Sequence, residues 1–168
     1  PHGGAIEPGT SELAYAVAAH DLHLAILEGT KPRGNSALHI TSTNFDEPRC
    51  VGVVEQSDFV LAIHGERSSN KVVYIGGADI DLRNAISEAL AEGCYDVREH
   101  QNINLQGKAL QNICNRGKNK MGVQLELTRG LRTTFFSSLS AEGRKSKTSE
   151  FQRFVEVLRR GLQRGGAI

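Results

Sequence analysis

The sequence predicts an α/β fold, with a mostly parallel mixed sheet and helices on both faces. Two observations carry this. Short apolar runs suited to buried strands, at 59–63 and 71–75, alternate with longer stretches whose apolar residues recur at helical spacing. Glycines punctuate the boundaries at Gly29, Gly76-Gly77 and Gly93. The 168 residues suit one domain spanning 1–168.

Taken in order, Thr10 or Ser11 is placed to cap a first helix. That helix carries Leu13, Val17, Ala18, Leu22, Ala25 and Ile26 and closes at Glu28-Gly29. Residues 37–42 read as a short strand, and 44–58 as an irregular connection punctuated by Pro48 and Gly52. Strands follow at 59–63 and 71–75. Asp79 caps the next helix, whose apolar face is Leu82, Ala85, Ile86, Ala89 and Leu90 and which stops at Gly93. A short strand at 95–98 and a short helix at 105–114 come next. Residues 121–127 alternate apolar and polar, as a strand with one face on the core does. A final helix over 148–161 carries Phe151, Phe154, Val155 and Leu158 as its stripe.

Composition excludes several roles. Twenty Lys and Arg stand against nineteen Asp and Glu, so no basic surface for nucleic acid is expected. No apolar run reaches the length of a membrane span, and no secretory signal is visible. The N-terminus does not decide between a cytoplasmic and a released protein. Cys50, Cys94 and Cys114 are odd in number and lack Cys-x-x-Cys spacing, so they read as thiols outside any disulfide or thiolate zinc site.

The chemistry concentrates in the opening stretch, Pro1-His2-Gly3-Gly4-Ala5-Ile6-Glu7-Pro8-Gly9. An imidazole and a carboxylate five positions apart do not share a helix face. A glycine-rich turn brings them to one point and makes two arms of a metal site. His64, at the end of an apolar run, is the strongest candidate for the third arm. Taken singly, each histidine reads more simply as a terminal or strand-end residue. Two imidazoles and a carboxylate leave zinc the open position that catalysis requires. Glu126, on the polar side of the alternating strand, is the candidate general base. Arg67, Arg129 and Arg132 lie close in sequence to these residues, and guanidinium forks suit an acidic substrate. Asn115-Arg116 is a further possible carboxylate clamp. His39 sits on the expected strand and reads more simply as a core histidine than as a residue supporting a metal ligand from behind; His20 and His23 read as surface residues, and His100 receives no role. A catalytic turn normally hangs from a rigid strand. A strand before His2 is therefore expected to be missing, through processing or truncation or because another chain supplies it.

Five blocks in order resemble the phage-type poly-γ-glutamate hydrolase family. They are His2-Gly3-Gly4-x-Ile6-Glu7-x-Gly9-Thr10-Ser11-Glu12, Ala62-Ile63-His64-Gly65, Tyr74-Ile75-Gly76-Gly77, Asn112-Ile113-Cys114-Asn115-Arg116-Gly117 and Gly122-Val123-Gln124-Leu125-Glu126-Leu127. The resemblance implies a compact, zinc-carboxypeptidase-like α/β fold. It implies one zinc ion held by His2, Glu7 and His64, with Glu126 as general base. It also implies cleavage of γ-linked glutamate polymer within the chain, making an acidic polymer the partner, with neither nucleic acid nor membrane. Two other readings are a zinc amidase acting on cell-wall peptides or acylated amino acids, and a non-catalytic module that binds polyanions.

Overall fold

The computed structural model describes residues 2–168. Its elements are β1 (His2–Gly4), α1 (Thr10–Ala18), β2 (Leu27–Gly29), α2 (Pro48–Glu55), β3 (Leu61–Glu66), β4 (Val72–Gly77), α3 (Ile80–Glu92), β5 (Asp96–Arg98), β6 (Val123–Thr128), α4 (Arg129–Thr134) and α5 (Ser149–Arg164). Backbone pairing sorts the strands into two sheets, a short β1–β2 pair and a four-stranded sheet in the order β3-β6-β4-β5. The β1–β2, β3–β6 and β4–β5 pairings are parallel, and β4–β6 is antiparallel. The fold is therefore the mostly parallel mixed α/β arrangement that the sequence predicts.

Alternation along the strands divides the larger sheet into two unlike faces. Ile63, Val73, Ile75, Val123, Leu125 and Leu127 point into the main core with the apolar stripes of α1, α3 and α5. Phe151, Phe154 and Leu158 of α5 are almost fully buried there. The in-between positions, Ala62, His64, Gln124 and Glu126, belong to the opposite face. The apolar packing on that side is a small cluster with Val60, Ala62 and Cys114 at its centre and Val54 of α2 against it, and Asn112 and the Leu105 carbonyl bond to Gln124 there. β3 is an edge strand of its sheet. It borders an apolar groove of about 510 Å³ that is lined by Val17, Leu27, Val54 and Leu61 and reaches His2 and His64.

Several local expectations need correction. The first helix stops at Ala18, and Leu27–Gly29 pairs with β1 as a strand. Residues 37–42 are not a strand, because Asn35–Leu38 forms a single 3-10 turn. Residues 48–55, read as irregular, are helical. Glu47 accepts the Cys50 N–H at 2.8 Å and Pro48 sits at the first turn, where its missing N–H costs nothing. Residues 105–114 do not form a helix, and only short 3-10 turns at Ile103–Leu105 and Ile113–Arg116 bracket them. The strand expected at 59–63 begins at Leu61 and runs on to Glu66. His64 is thus inside it rather than at its mouth. α4 has no counterpart in the sequence reading. The cap at Asp79 stands where the sequence puts it, accepting from Leu82 N. Thr148 caps α5 in the same way, accepting from Phe151 N, a role the sequence reading does not assign.

Candidate metal centre

The first turn gathers three of the relevant groups. β1 carries His2 into the interior, where the residue is 1 % exposed. Its ring nitrogens are both buried and have no hydrogen-bond partner among the described residues. Burying a polar nitrogen without a partner costs on the order of 1–3 kcal/mol, so this arrangement is expected where something absent from the protein atoms completes it. Thr10 and Ser11 hold the turn, although neither acts as a side-chain cap for α1. The Thr10 hydroxyl lies 2.7 Å from the His2 carbonyl oxygen and 2.8 Å from that of Glu7, sharing its hydrogen between them. Ser11 Oγ accepts the Gly4 N–H at 3.1 Å. Gly3 is required by this packing, since a Cβ there would fall 1.5 Å from Ser11 Oγ.

Glu7 is the hub. Its Oε2 accepts the Gly65 N–H at 2.9 Å and lies 3.7 Å from His64 Nδ1, while Oε1 lies 3.4 Å from His39 Nε2. Burial alone would raise its pKa. The His64 ring and the Gly65 N–H outweigh burial and hold the carboxyl below its ordinary range. The His2 ring centroid is 4.7 Å from that of His39 and 5.6 Å from that of His64. Burial, reinforced by His64, pulls the His2 pKa down to about 4, so its imidazole is neutral at pH 7. A neutral imidazole is the form that ligates a metal.

His2, Glu7 and His39 each offer a ligand atom within 4.8 Å of the others. His64 lies outside that tight trio but beside Glu7, and its Nε2 is 3.3 Å from Ser42 Oγ. The chemistry of these donors, imidazole nitrogen and carboxylate oxygen, fits zinc. The orphaned nitrogens of His2 fit it as well.

The sheet places the second half of the site. His64 and Glu126 are direct register partners on β3 and β6, so their side chains leave the same face side by side. Glu126 is 7 % exposed, which corrects the expectation of an outward polar side. Its pKa rises to about 7, chiefly through burial; His64 opposes the rise, and the charges of Glu7 and Glu66 add to it. Gln124 donates to Glu126 Oε1 at 3.0 Å and accepts from Asn112 Nδ2 at 2.9 Å. This Asn112–Gln124–Glu126 chain is invisible in the sequence except as two amides with no partner in view.

The four expected substrate arginines separate into two kinds. Arg132 is 3 % exposed, and its guanidinium donates to the carbonyls of Leu127 (3.0 Å), Pro8 (2.5 Å) and Glu66 (2.9 Å). It is an internal strut that joins the His2–Glu7 turn to the ends of β3 and β6. Gly65 makes room for it, since a Cβ there would meet the guanidinium carbon at 2.7 Å. Arg116 donates to the Phe45 carbonyl at 2.8 Å and pairs with Glu55. Asn115 is spent on main-chain groups, including the Gly107 carbonyl and the Gly122 N–H. The proposed Asn115-Arg116 clamp is therefore a structural knot. Arg67 and Arg129 are exposed, and each follows one member of the Glu66–Thr128 register pair. His39 is neither core nor strand. It ends the 3-10 turn, with its side chain 43 % exposed.

An α/β protein with a buried histidine–carboxylate cluster on the polar face of its sheet is the class that fold and site define. Residues 1–157 match the family model described as Poly-gamma-glutamate hydrolase, and the chain belongs to that family. It is 36 % identical over 167 residues to the UPF0714 protein YmaC of Bacillus subtilis (strain 168), covering 98 % of this chain and 70 % of YmaC. To the SPbeta prophage-derived UPF0714 protein YoqZ of the same organism it is 35 % identical, covering 94 % of this chain and 58 % of YoqZ. It thus spans between 58 % and 70 % of the length of these relatives. A solved bacteriophage poly-gamma-glutamate hydrolase superposes with a TM-score of 0.92 at 34 % identity, covering 97 % of this chain and 80 % of that one. A structure of YndL described as apo and zinc-free superposes with a TM-score of 0.91 at 32 % identity, covering 96 % and 81 %.

Proposed function

We propose that this chain hydrolyses γ-glutamyl amide bonds within poly-γ-glutamate, with zinc held by His2, Glu7 and His64 and Glu126 as general base. The observation that carries the reading is the buried His2 ring beside Glu7, without a hydrogen-bond partner among the described residues, with Glu126 next to His64 in strand register. The family and its bacteriophage relative supply the substrate class. When bound, zinc supplies Lewis acidity to the scissile carbonyl and acidifies water.

The protein's own groups do the rest. Glu7 is held ionised and His2 neutral, the states in which both bind a cation. Gln124 fixes one oxygen of Glu126 and leaves the other to take the proton of the attacking water. As the C–N bond breaks, that proton passes from Glu126 to the departing amide nitrogen. Arg67 and Arg129, exposed at the same end of the β3–β6 pair, hold side-chain carboxylates of the polymer.

The test is to load purified protein with zinc and follow the chain-length distribution of poly-γ-glutamate. Rapid appearance of intermediate lengths supports internal cleavage. Release of single residues from one end would reject the internal mode. Turnover of peptidoglycan but not of the polymer would move the substrate to cell-wall peptides.

A further inference from the structure

We infer that His39 is a fourth metal arm, one that closes the site at rest and leaves it when substrate enters. The inference rests on the zinc reading above and deepens it. Of the side chains within reach of His2 and Glu7, His39 makes the closest approach to the Glu7 carboxylate, at 3.4 Å against 3.7 Å for His64. Among the described residues it also completes a group of metal-capable atoms, with His2 and Glu7, that lie within 4.8 Å of one another.

Its position is built rather than incidental. The turn that bears it is tied down by Asn35, which accepts the Lys31 N–H at 3.0 Å and donates to the Lys31 carbonyl at 2.7 Å. That turn follows β2, the strand paired with β1. His39 is thereby hung next to His2, its ring tilted 34° from the His2 ring at 4.7 Å between centroids.

Three imidazoles and one carboxylate fill the tetrahedral shell of zinc, and a filled shell is the hallmark of a structural site. Release of one arm restores to this set the open position of a catalytic site. Exposure identifies which. The His39 side chain is 43 % exposed, whereas those of Glu7 and His64 are 9 % and 6 % exposed, and His2 as a whole residue is 1 % exposed. His39 can swing into solvent without opening the core, and the others cannot.

The experiment uses the Glu126→Gln protein, so that polymer is not consumed, with 15N-labelled histidine and 113Cd as the metal probe. One-bond 113Cd–15N coupling reports each ligating nitrogen, and a His39→Ala version assigns the His39 signal. We expect coupling at His2, His64 and His39, and loss of the His39 coupling alone when a γ-glutamate oligomer is added. Removing His39 should also weaken metal binding about tenfold or more. Coupling at His2 and His64 but never at His39 overturns the inference and leaves the three-ligand site standing. Coupling at His39 that persists with oligomer bound overturns the release step. Coupling at no histidine overturns the metal reading itself.

Discussion

The two halves of the site are built by different means. His64 and Glu126 come from adjacent strands, and ladder hydrogen bonds set their separation. His2 stands on the three-residue strand β1, and Glu7 and His39 stand in the turns beyond it and beyond β2; their geometry depends on individual ties: the Thr10 hydroxyl, Ser11 Oγ, the Gly65 N–H and the Arg132 guanidinium. The sheet half is placed by the fold, so its residues can be exchanged with little loss of position. The turn half is placed by side chains, so changes several residues away should disturb it.

The sharpest expected contrast is between one substitution in each half. Glu126→Gln should lower hydrolysis by about 10²- to 10⁴-fold, the range for losing a general base, while zinc binding stays within a few-fold. His2→Ala should instead abolish tight zinc binding and activity together. Zinc titration alongside turnover measures both. Equal loss of metal in the two variants would erase the proposed division of labour.

Arg132 joins the halves, and its removal is the next largest effect. Arg132→Met strands three main-chain carbonyls that now receive guanidinium hydrogen bonds. At about 1 kcal/mol or more for each, unfolding in urea should show a loss on the order of 3 kcal/mol. The metal affinity of whatever remains folded should fall as well, because the Pro8 tie positions the turn that bears Glu7. Unchanged stability would show that water replaces the strut.

Much of the sheet half was legible in the sequence. Alternation over 121–127 located Glu126, the apolar run before His64 located β3, and Asp79 announced its helix. The turn half was legible only as composition: His2, Glu7 and two glycines marked a site, but not what holds it. The reading of His39 on a strand fails because Ala37, Leu38 and Ile40 are as apolar as a short strand, whereas Gly34 and Asn35 start a 3-10 turn instead. Arg132 and Arg116 were misread because a sequence shows a charge and not its destination. Long-range ties such as Arg132 to Pro8, 124 residues apart, leave no local pattern.

A smaller effect tests the burial of Glu126 in the metal-free protein. Its carboxyl is raised from the ordinary 4.5 to about 7. Between those values the folded chain keeps a proton that the unfolded chain has lost, so stability must fall as pH rises through the window and level off above it. The shift corresponds to at most about 3 kcal/mol. Glu126→Gln lacks this contribution, so its stability relative to the parent should climb by up to that amount from pH 4.5 to pH 7. Urea unfolding at both ends of the range reads the difference, and a constant gap would mean that Glu126 titrates normally.

The smallest effect separates the two modes of construction most cleanly. Thr148→Ala removes the cap of α5, remote from the site, and should cost about 1 kcal/mol of stability with no change in zinc affinity. Thr10→Val removes a hydroxyl of similar worth, about 1 kcal/mol, but that hydroxyl bridges the carbonyls of His2 and Glu7. Because both proposed ligands hang from the bridged turn, zinc affinity should fall about tenfold although neither ligand is touched. Equal stability loss with unequal metal loss is what side-chain ties in the turn half require. If the two variants bind zinc alike, the backbone of the turn is rigid on its own, and the hydroxyl contributes only to stability.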